Sequence, residues 1–359
     1  MAGKKRLALA GAAACLILGV VLTLLGGTRQ KTEDYARKLE AAQLMQSWMD
    51  AVKEYKAEVG LPVSEEDLHQ TGLIGAPYTE ITTTHGALEA KRTTANPDMA
   101  ALMVQMLTEA GMKPGDTVGA GFSGSFPAMD LAVLAACQTM DLRCIYIASV
   151  GASTYGANQP ELTFPDMAYQ LYQDGLLDTP PALVTPGGVD DCGLDMDEGT
   201  RETILARLEG YGTQVMRQPD FEQNLQARMD LYQQQGPIDC FVGVGGNLTT
   251  TGAGNTEVPY GLIAPDRIRA VDRNSGLIQR YNAQGLPVIH LLNIQRLTAD
   301  YSLPYDPERL TPPGESAVYY TAVYPRLPGA VCLVGAAACL FAGFIWPRWK
   351  ERREEHDKP

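Results

Sequence analysis

The chain has 359 residues, 45% of them hydrophobic, which predicts one large globular domain or two smaller ones and excludes an intrinsically disordered protein. The net charge of -13 and a pI near 4.8 argue against nucleic acid as a partner, because an acidic surface repels a polyanion. The seven cysteines form no CxxC pair. The acidic loop from Asp190 to Asp197 lacks the ligand pattern of a calcium loop, so we predict no metal site.

Apolar runs lie near both ends of the chain. Leu7 to Leu25 has about the ~20 residues that cross a bilayer and follows a basic segment, and Gly329 to Trp346 precedes a basic tail. Positive flanks at both ends predict a two-pass protein of the cell membrane with cytoplasmic termini and an external middle segment. A cleaved signal peptide is the alternative for the first run, although no clear A-x-A site follows it.

This pattern predicts five segments. They are a basic start with a transmembrane helix (residues 1–27), a juxtamembrane helix (28–62), an extracytoplasmic α/β domain (63–325), a second transmembrane helix (326–347) and a cytoplasmic charged tail (348–359).

The first part of the middle segment has a helical pattern. Lys31 to Val59 has apolar residues near helical spacing, which predicts one long stalk or docking helix. A short β-branched strand, Thr79 to Thr84, then precedes a predicted loop with Lys91, Arg92 and Thr93. Two cations among hydroxyl groups are compatible with an anion site, and a solvated loop gives the same pattern.

The central stretch from Gly119 to Ser153 predicts a strand, a glycine-serine turn, a helix, a second strand and a second small-residue turn. Predicted strands then alternate with helices, in PALVT, IDCFVGVGGN, LPVIHLLN and SAVYYTAVYP. The alternation predicts an α/β fold with a largely parallel sheet and helices on both faces. Ligands in such sheets bind at the carboxyl ends of the strands.

The first turn fits two enzyme motifs incompletely. Gly119, Gly121 and Gly124 match the dinucleotide fingerprint, but no acidic residue follows the next strand, so we predict no cofactor. The turn also resembles a nucleophile elbow, as G-x-S-x-S around Ser123. His290 is the candidate base of such a serine enzyme, and a histidine packed beside its strand is the alternative.

A third interpretation is a crevice that binds carboxylates through backbone and hydroxyl donors, with lysine and arginine supplying charge. Glycine-serine turns that merely end strands give the same pattern. The ligand-binding residues expected at this crevice are Lys91, Arg92, Thr93, Ser123, Gly124, Ser125, Ser153, Asn158, Gly245, Gly246, Asn247 and Thr249.

Four motifs, ITTTHGALEAKRTTANPDMAALMV, GFSGSFPAMDLAVLAA, IASVGAS and FVGVGGN, resemble the bacterial poly-γ-glutamate system protein family. The resemblance covers nearly the whole chain and implies a role in making or exporting this capsule or secreted polymer. It assigns no reaction and no catalytic residues. It implies poly-γ-glutamate, or another carboxylate-rich ligand, and the membrane subunits of the synthase as partners.

These observations lead to a hypothesis with two alternatives. The leading one is an accessory membrane protein whose external α/β domain binds or guides the polymer. The first alternative is an external serine hydrolase or transferase that acts on the polymer through Ser123. The second is a scaffold that contacts the synthase through its two spans and the Lys31 to Val59 helix.

Overall fold

The computed structural model describes residues 2–254 and 258–356, which form two compact units. The terminal unit combines the chain up to Thr32 with the chain from Tyr320 onward, and the main unit runs from Glu33 to Tyr319. Residues 33–62 therefore belong to the main unit together with residues 63–319 of the predicted α/β segment, whereas its last residues, 320–325, belong to the terminal unit.

The helices of the described residues are α1 (Ala2–Leu25), α2 (Tyr35–Glu58), α3 (Leu88–Thr94), α4 (Asp98–Glu109), α5 (Pro127–Thr139), α6 (Phe164–Gln173), α7 (Glu198–Gly210), α8 (Phe221–Gln235), α9 (Leu248–Thr251), α10 (Leu277–Ala283), α11 (Ile294–Asp300), α12 (Arg326–Leu340) and α13 (Trp346–His356). The strands are β1 (Thr28–Lys31), β2 (Thr82–Thr84), β3 (Thr117–Phe122), β4 (Arg143–Ser149), β5 (Ala152–Ser153), β6 (Leu183–Thr185), β7 (Cys240–Val244), β8 (Gly261–Ile263), β9 (Val288–Leu291) and β10 (Tyr320–Val323).

The terminal unit contains two candidate membrane-spanning helices, Gly3–Leu25 and Arg326–Lys350, with mean hydropathies of 2.5 and 2.1. The second joins α12 and α13 through a π-helical turn. The two helices pack closely at small residues, because a Cβ added at Gly19 would lie 2.7 Å from the Cβ of Cys332. β1 and β10 form an antiparallel ladder next to the helices. The predicted strand in SAVYYTAVYP thus pairs with β1 and does not join the main sheet.

The main unit is built on a six-stranded sheet in the order β6-β4-β3-β7-β9-β8. Every neighbouring pair is parallel except β8 and β9. The prediction of a largely parallel α/β sheet is confirmed, and the antiparallel edge strand β8 was not predicted. The chain moves outward from β3 in one direction through β4 and β6, and then returns to the other side of β3 with β7. Such a reversal opens a crevice at the carboxyl ends of β3 and β7.

Helices cover both faces of this sheet. Phe122 of β3 packs on Tyr146 of β4 and on Phe164 of α6, with ring centroids 5.1 and 6.0 Å apart. On the opposite face, Tyr232 of α8 packs on Phe241 of β7 at 6.2 Å. Because side chains alternate along a strand, each buried strand supplies apolar residues to both layers.

The long predicted helix is α2, and it packs against α4 and α5. Its apolar stripe is fully covered, since Ala42, Met45, Trp48 and Val52 are each 0% exposed. The helix therefore contributes to the core of the main unit as one of its covering layers.

One local prediction was wrong. The segment with Lys91, Arg92 and Thr93 is helical in α3, and it is not a loop. The residues of LEAKR all have high helix propensity, and this preference outweighs the two threonines that follow.

We expect Met45→Ala to lower the free energy of unfolding of the main unit by about 2–5 kcal/mol, because a buried methionine leaves a cavity when it is truncated. Guanidinium chloride unfolding of the full chain in detergent, followed by circular dichroism, measures the change. Gln43→Ala on the exposed side of α2 is the matched control. Equal midpoints for the two variants would mean that α2 does not contribute to the core.

Candidate functional site

A cavity of about 580 Å³ lies at the carboxyl edge of the main sheet. Its walls come from the ends of β3 and β7, which flank the reversal in strand order, from the end of β4, and from α3 and the loop before it. The lining residues are Thr83, Thr84, His85, Gly86, Ala87, Ala90, Lys91, Ser123, Ser125, Phe126, Ser149, Gly151, Ser153, Gly188, Val189, Asp195, Gly246, Asn247, Leu248 and Leu292.

Lys91 is a buried cation in the wall of this cavity, with 2% of its surface exposed. Its Nζ atom donates to the backbone carbonyl of Ser125 and lies 2.8 Å from the Oγ atom of Ser153. It also lies 3.5 Å from the centre of the Phe126 ring, whose electron-rich face attracts a cation.

Burial lowers the pKa of Lys91 from 10.5 to about 7, and the Asp130 carboxylate acts in the opposite direction. Asp130 is fully buried in the first turn of α5. Burial raises the pKa of Asp130 well above its usual range, and Lys91 partly opposes this rise. Neither carboxyl oxygen of Asp130 has a hydrogen-bond partner in the described part of the chain. The site therefore holds two ionisable groups whose charges both depend on burial.

The structure brings three predicted serines together. Ser123, Ser125 and Ser153 all line the cavity. The Oγ atom of Ser123 accepts from the N–H of Ser125 at 3.3 Å, and the Oγ atom of Ser125 accepts from the N–H of Ser153 at 2.9 Å. These bonds fix the first turn against the second, so the hydroxyl groups lie at defined positions.

The predicted glycine-rich loop after β7 forms the facing wall. Gly246 and Asn247 line the cavity, and the Asn247 side chain caps the short helix α9 by accepting from the N–H of Thr250 at 2.8 Å. Gly245 has a φ of 81°, and an added Cβ there would lie 3.0 Å from the Cβ of Ser123. Thr249 is buried behind the loop, where its Oγ1 atom lies 3.3 Å from Oδ1 of Asn247.

Gly124 allows two turns to approach each other. A Cβ added at Gly124 would lie 3.0 Å from the carbonyl oxygen of Val150 and 3.1 Å from that of Gly151. Gly124 thus allows close approach of the backbone, as predicted, but what approaches it is the neighbouring turn of the protein.

Arg92 and Thr93 lie outside the cavity. Arg92 forms two hydrogen bonds with the carboxylate of Asp306, at 2.7 and 2.6 Å. Thr93 accepts from the N–H of Asp306 at 2.8 Å and donates to the carbonyl of Glu89. Both side chains hold the segment around residue 306 against α3, so the carboxylate that Arg92 grips is internal to the protein.

Asn158 is also used within the protein. Its side chain accepts from the N–H of Ala76 at 2.9 Å and donates to the carbonyl of Ala76 at 2.8 Å and to Thr82 at 3.0 Å. Asn158 therefore anchors the segment before β2, which leads into the cavity wall.

His290 lies in β9, 1% exposed, and does not line the cavity. Its Nδ1 atom lies 2.9 Å from the carbonyl oxygen of Pro259. Burial lowers the pKa of His290, and the carbonyl of Pro259 favours the protonated ring. The hydrogen bonds that the described residues give His290 and Ser123 go to other partners, and the exposed His85 lines the cavity.

The glycines of the dinucleotide fingerprint serve packing. Gly119 and Gly121 lie inside β3 and precede the turn. An added Cβ at Gly119 would lie 2.7 Å from Ile238, and one at Gly121 would lie 3.1 Å from Thr250. Both glycines make room for neighbouring elements of the main unit, and only Gly124 belongs to the turn.

Three residues that contribute to the site were not identified from the sequence. Asp130 is the one acidic residue in the apolar run PAMDLAVLAA, and this isolation is the signal of a buried carboxylate. Gly86 allows close approach to the site, because an added Cβ would lie 2.7 Å from the Oγ atom of Ser153. His85 gave no signal beyond its place beside Gly86.

One residue of the acidic loop, Asp191, forms a salt bridge within the protein. Asp191 pairs with Arg228 of α8 at 2.5 Å and accepts from Thr185 and Asn224. Within residues 2–254 and 258–356, no group of three or more His, Cys, Asp or Glu side chains is placed to hold a metal ion.

Comparison of the chain with protein-family models, with curated proteins and with solved structures gives no match.

We expect the free energy of unfolding of the wild type, relative to that of Lys91→Met, to rise as the pH rises from 7 to 10. The unfolded chain keeps the lysine proton up to about its ordinary pKa, whereas the folded chain releases it near pH 7. The unfolded state therefore binds more protons in this window, and the slope is at most about 1.4 kcal/mol per pH unit. Urea unfolding of both proteins across this range measures the difference. A flat difference would show that Lys91 keeps an ordinary pKa.

Proposed function

We propose that this chain is a membrane-anchored accessory protein of the poly-γ-glutamate system whose main unit binds or guides the polymer at the cavity. The observation that carries the proposal is the convergence of four segments. The four motifs that resemble the poly-γ-glutamate system family are separate segments of the sequence, and each supplies residues to the same cavity. These residues include Lys91, Ser125, Ser153 and Asn247.

The chemistry of the cavity suits this polymer. Poly-γ-glutamate carries one carboxylate on each residue, and its backbone amides donate and accept hydrogen bonds. Lys91 offers a charge to a carboxylate, and the surrounding serine and threonine hydroxyls offer hydrogen bonds to the amides. A volume of about 580 Å³ is typical of small-molecule sites, so the cavity fits a short piece of the chain.

The charge of the protein supports local binding over broad adsorption. With a net charge of -13, the surface as a whole repels a polyanion. Attraction is then confined to the cavity around Lys91, and the polymer can be released elsewhere along the surface.

The two apolar helices support a membrane location for this chain. Basic residues flank both helices at the chain ends, which supports cytoplasmic termini and an external main unit. An external cavity is suited to a polymer that is being exported. The membrane subunits of the synthase are the partners that this arrangement favours.

The structure supports the two alternative functions, a serine hydrolase or transferase and a scaffold, to different degrees. A hydrolase based on Ser123 and His290 lacks support, because His290 is 1% exposed and is not one of the residues that line the cavity. A scaffold would have to use the terminal helices, since the apolar stripe of α2 is already covered within the main unit.

We expect Lys91→Met to weaken binding of poly-γ-glutamate by about tenfold at pH 6, since a charge-assisted hydrogen bond contributes about 1.5–3 kcal/mol. The affinity of the wild type should fall by up to about tenfold from pH 6 to pH 8. In this range Lys91 loses its charge while the polymer carboxylates, with a pKa of about 4.3, stay ionised. Fluorescence anisotropy of end-labelled polymer with the full chain in detergent measures both effects.

The matched control is Lys113→Met, which removes the same charge from an exposed position outside the cavity. Its affinity should equal that of the wild type. Similar losses in the two variants, or an affinity that does not change with pH, would contradict a binding site at Lys91.

A further inference from the structure

The contacts of the Lys91 amine match those of a general base. Nζ donates to the carbonyl of Ser125, which can only accept, and lies 2.8 Å from the hydroxyl of Ser153. A neutral amine has two N–H groups and one lone pair. It can therefore donate to the carbonyl and accept the Ser153 hydroxyl proton at the same time.

The surroundings favour this neutral form near physiological pH. Desolvation lowers the pKa of Lys91 to about 7. Asp130 of α5 is the carboxylate that opposes the shift, and burial keeps Asp130 itself towards its protonated form. His85 and Asp195 are the other titratable groups in the cavity wall, and both are exposed. A substantial fraction of Lys91 is thus available to accept a proton.

Among the three predicted serines that line the cavity, Ser153 is the one whose hydroxyl lies within hydrogen-bond distance of an amine. The hydroxyl oxygens of Ser123 and Ser125 instead accept from backbone N–H groups. The backbone N–H of Ser153 is held by Ser125, which fixes the position of Ser153 beside Lys91. A serine hydroxyl needs such a base, because at its own pKa it is almost never ionised.

We propose that Ser153 and Lys91 form a nucleophile and base pair that cleaves or transfers an amide-linked acyl group bound in the cavity. The substrate class, a γ-linked glutamyl amide, rests on the proposed function. The pairing of the two residues rests on the geometry alone. In this reaction the predicted nucleophile Ser123 and the predicted base His290 take no part.

The reaction balances without a further reagent. The Oγ atom of Ser153 bonds to the amide carbonyl carbon, and its proton passes to Nζ of Lys91. The C–N bond then breaks, and Lys91 gives this proton to the departing amine. Water or another amine attacks the ester formed on Ser153, and its proton returns through Lys91 to the serine oxygen. The products are a carboxylic acid with water, or a new amide with an amine.

Two features of the cavity support such a step. α5 begins directly after Ser125 and Phe126 in the cavity wall, and the positive end of its dipole stabilises the oxyanion that develops on the carbonyl. Gly86 leaves the space beside the Ser153 hydroxyl open, because any side chain there would start 2.7 Å from this oxygen.

The test uses the full chain in detergent and end-labelled poly-γ-glutamate, with polymer length followed by size-exclusion chromatography. We expect shortening whose rate rises as the pH rises through 7, as the neutral amine forms. Ser153→Ala and Lys91→Met should each lower the rate by about 100-fold or more. Ser47→Ala, at an exposed serine of α2, and Lys113→Met are the matched controls and should keep the rate of the wild type.

A second measurement does not need the polymer. A fluorophosphonate probe should label Ser153 of the wild type, with a labelling rate that rises through pH 7, and peptide mass spectrometry identifies the labelled residue. No labelling of Ser153 and no shortening of the polymer would overturn the pair. Labelling or shortening that persists in Lys91→Met at the wild-type rate would also overturn it.

The outcomes separate the two proposals. Polymer that binds at pH 6 but is never shortened, with Ser153 unlabelled, overturns the catalytic pair and leaves the binding function intact. Labelled Ser153 without any polymer binding overturns the proposed function, and supports the pair with another amide as substrate. If polymer binding weakens above pH 7 while the rate of Ser153 labelling increases, the same lysine acts in both: its charged form binds the polymer and its neutral form activates Ser153.

Discussion

The burial of one amine is the constraint on which the site depends. Removing the Lys91 ammonium from water is costly, and the cost is offset by the carbonyl of Ser125, the hydroxyl of Ser153 and the face of Phe126. These partners come from the turn after β3 and from β5, while Lys91 itself comes from α3. A single buried group thus connects three segments that the sheet alone would not hold together. Changing any of them alters both the local packing and the charge of the site.

Much of the fold could be predicted because periodic apolar patterns determine it. The strands β3, β4, β7 and β9 are short apolar runs, and such runs indicate buried parallel strands. The helix α2 was evident from its spacing, although its packing partners were not. The short antiparallel strand β8 has no alternation long enough to indicate it.

The site was predicted less completely, because side-chain partners depend on tertiary contacts. Lys91 and Arg92 are neighbours in the sequence, so both were expected at the ligand. On a helix, adjacent residues point in different directions, and Arg92 reaches Asp306 while Lys91 reaches the cavity. Asn158 likewise meets Ala76, a partner that no local pattern indicates. The turns at Ser123, Ser153 and Asn247 were found because glycine-rich turns at strand ends are a local signal.

The pairing of β1 with β10 changes the thermodynamics of the main unit. The ladder lies just outside both ends of the segment from residue 33 to residue 319, so this segment is a loop whose ends are held together. While the terminal helices stay paired, the main unit can unfold only as a closed ring with fewer conformations than a free chain. By the relation used for cross-links, closing a loop of this size stabilises the folded main unit by about 6 kcal/mol relative to an open chain. The paired terminal helices therefore stabilise the main unit by limiting the conformational entropy of its unfolded state.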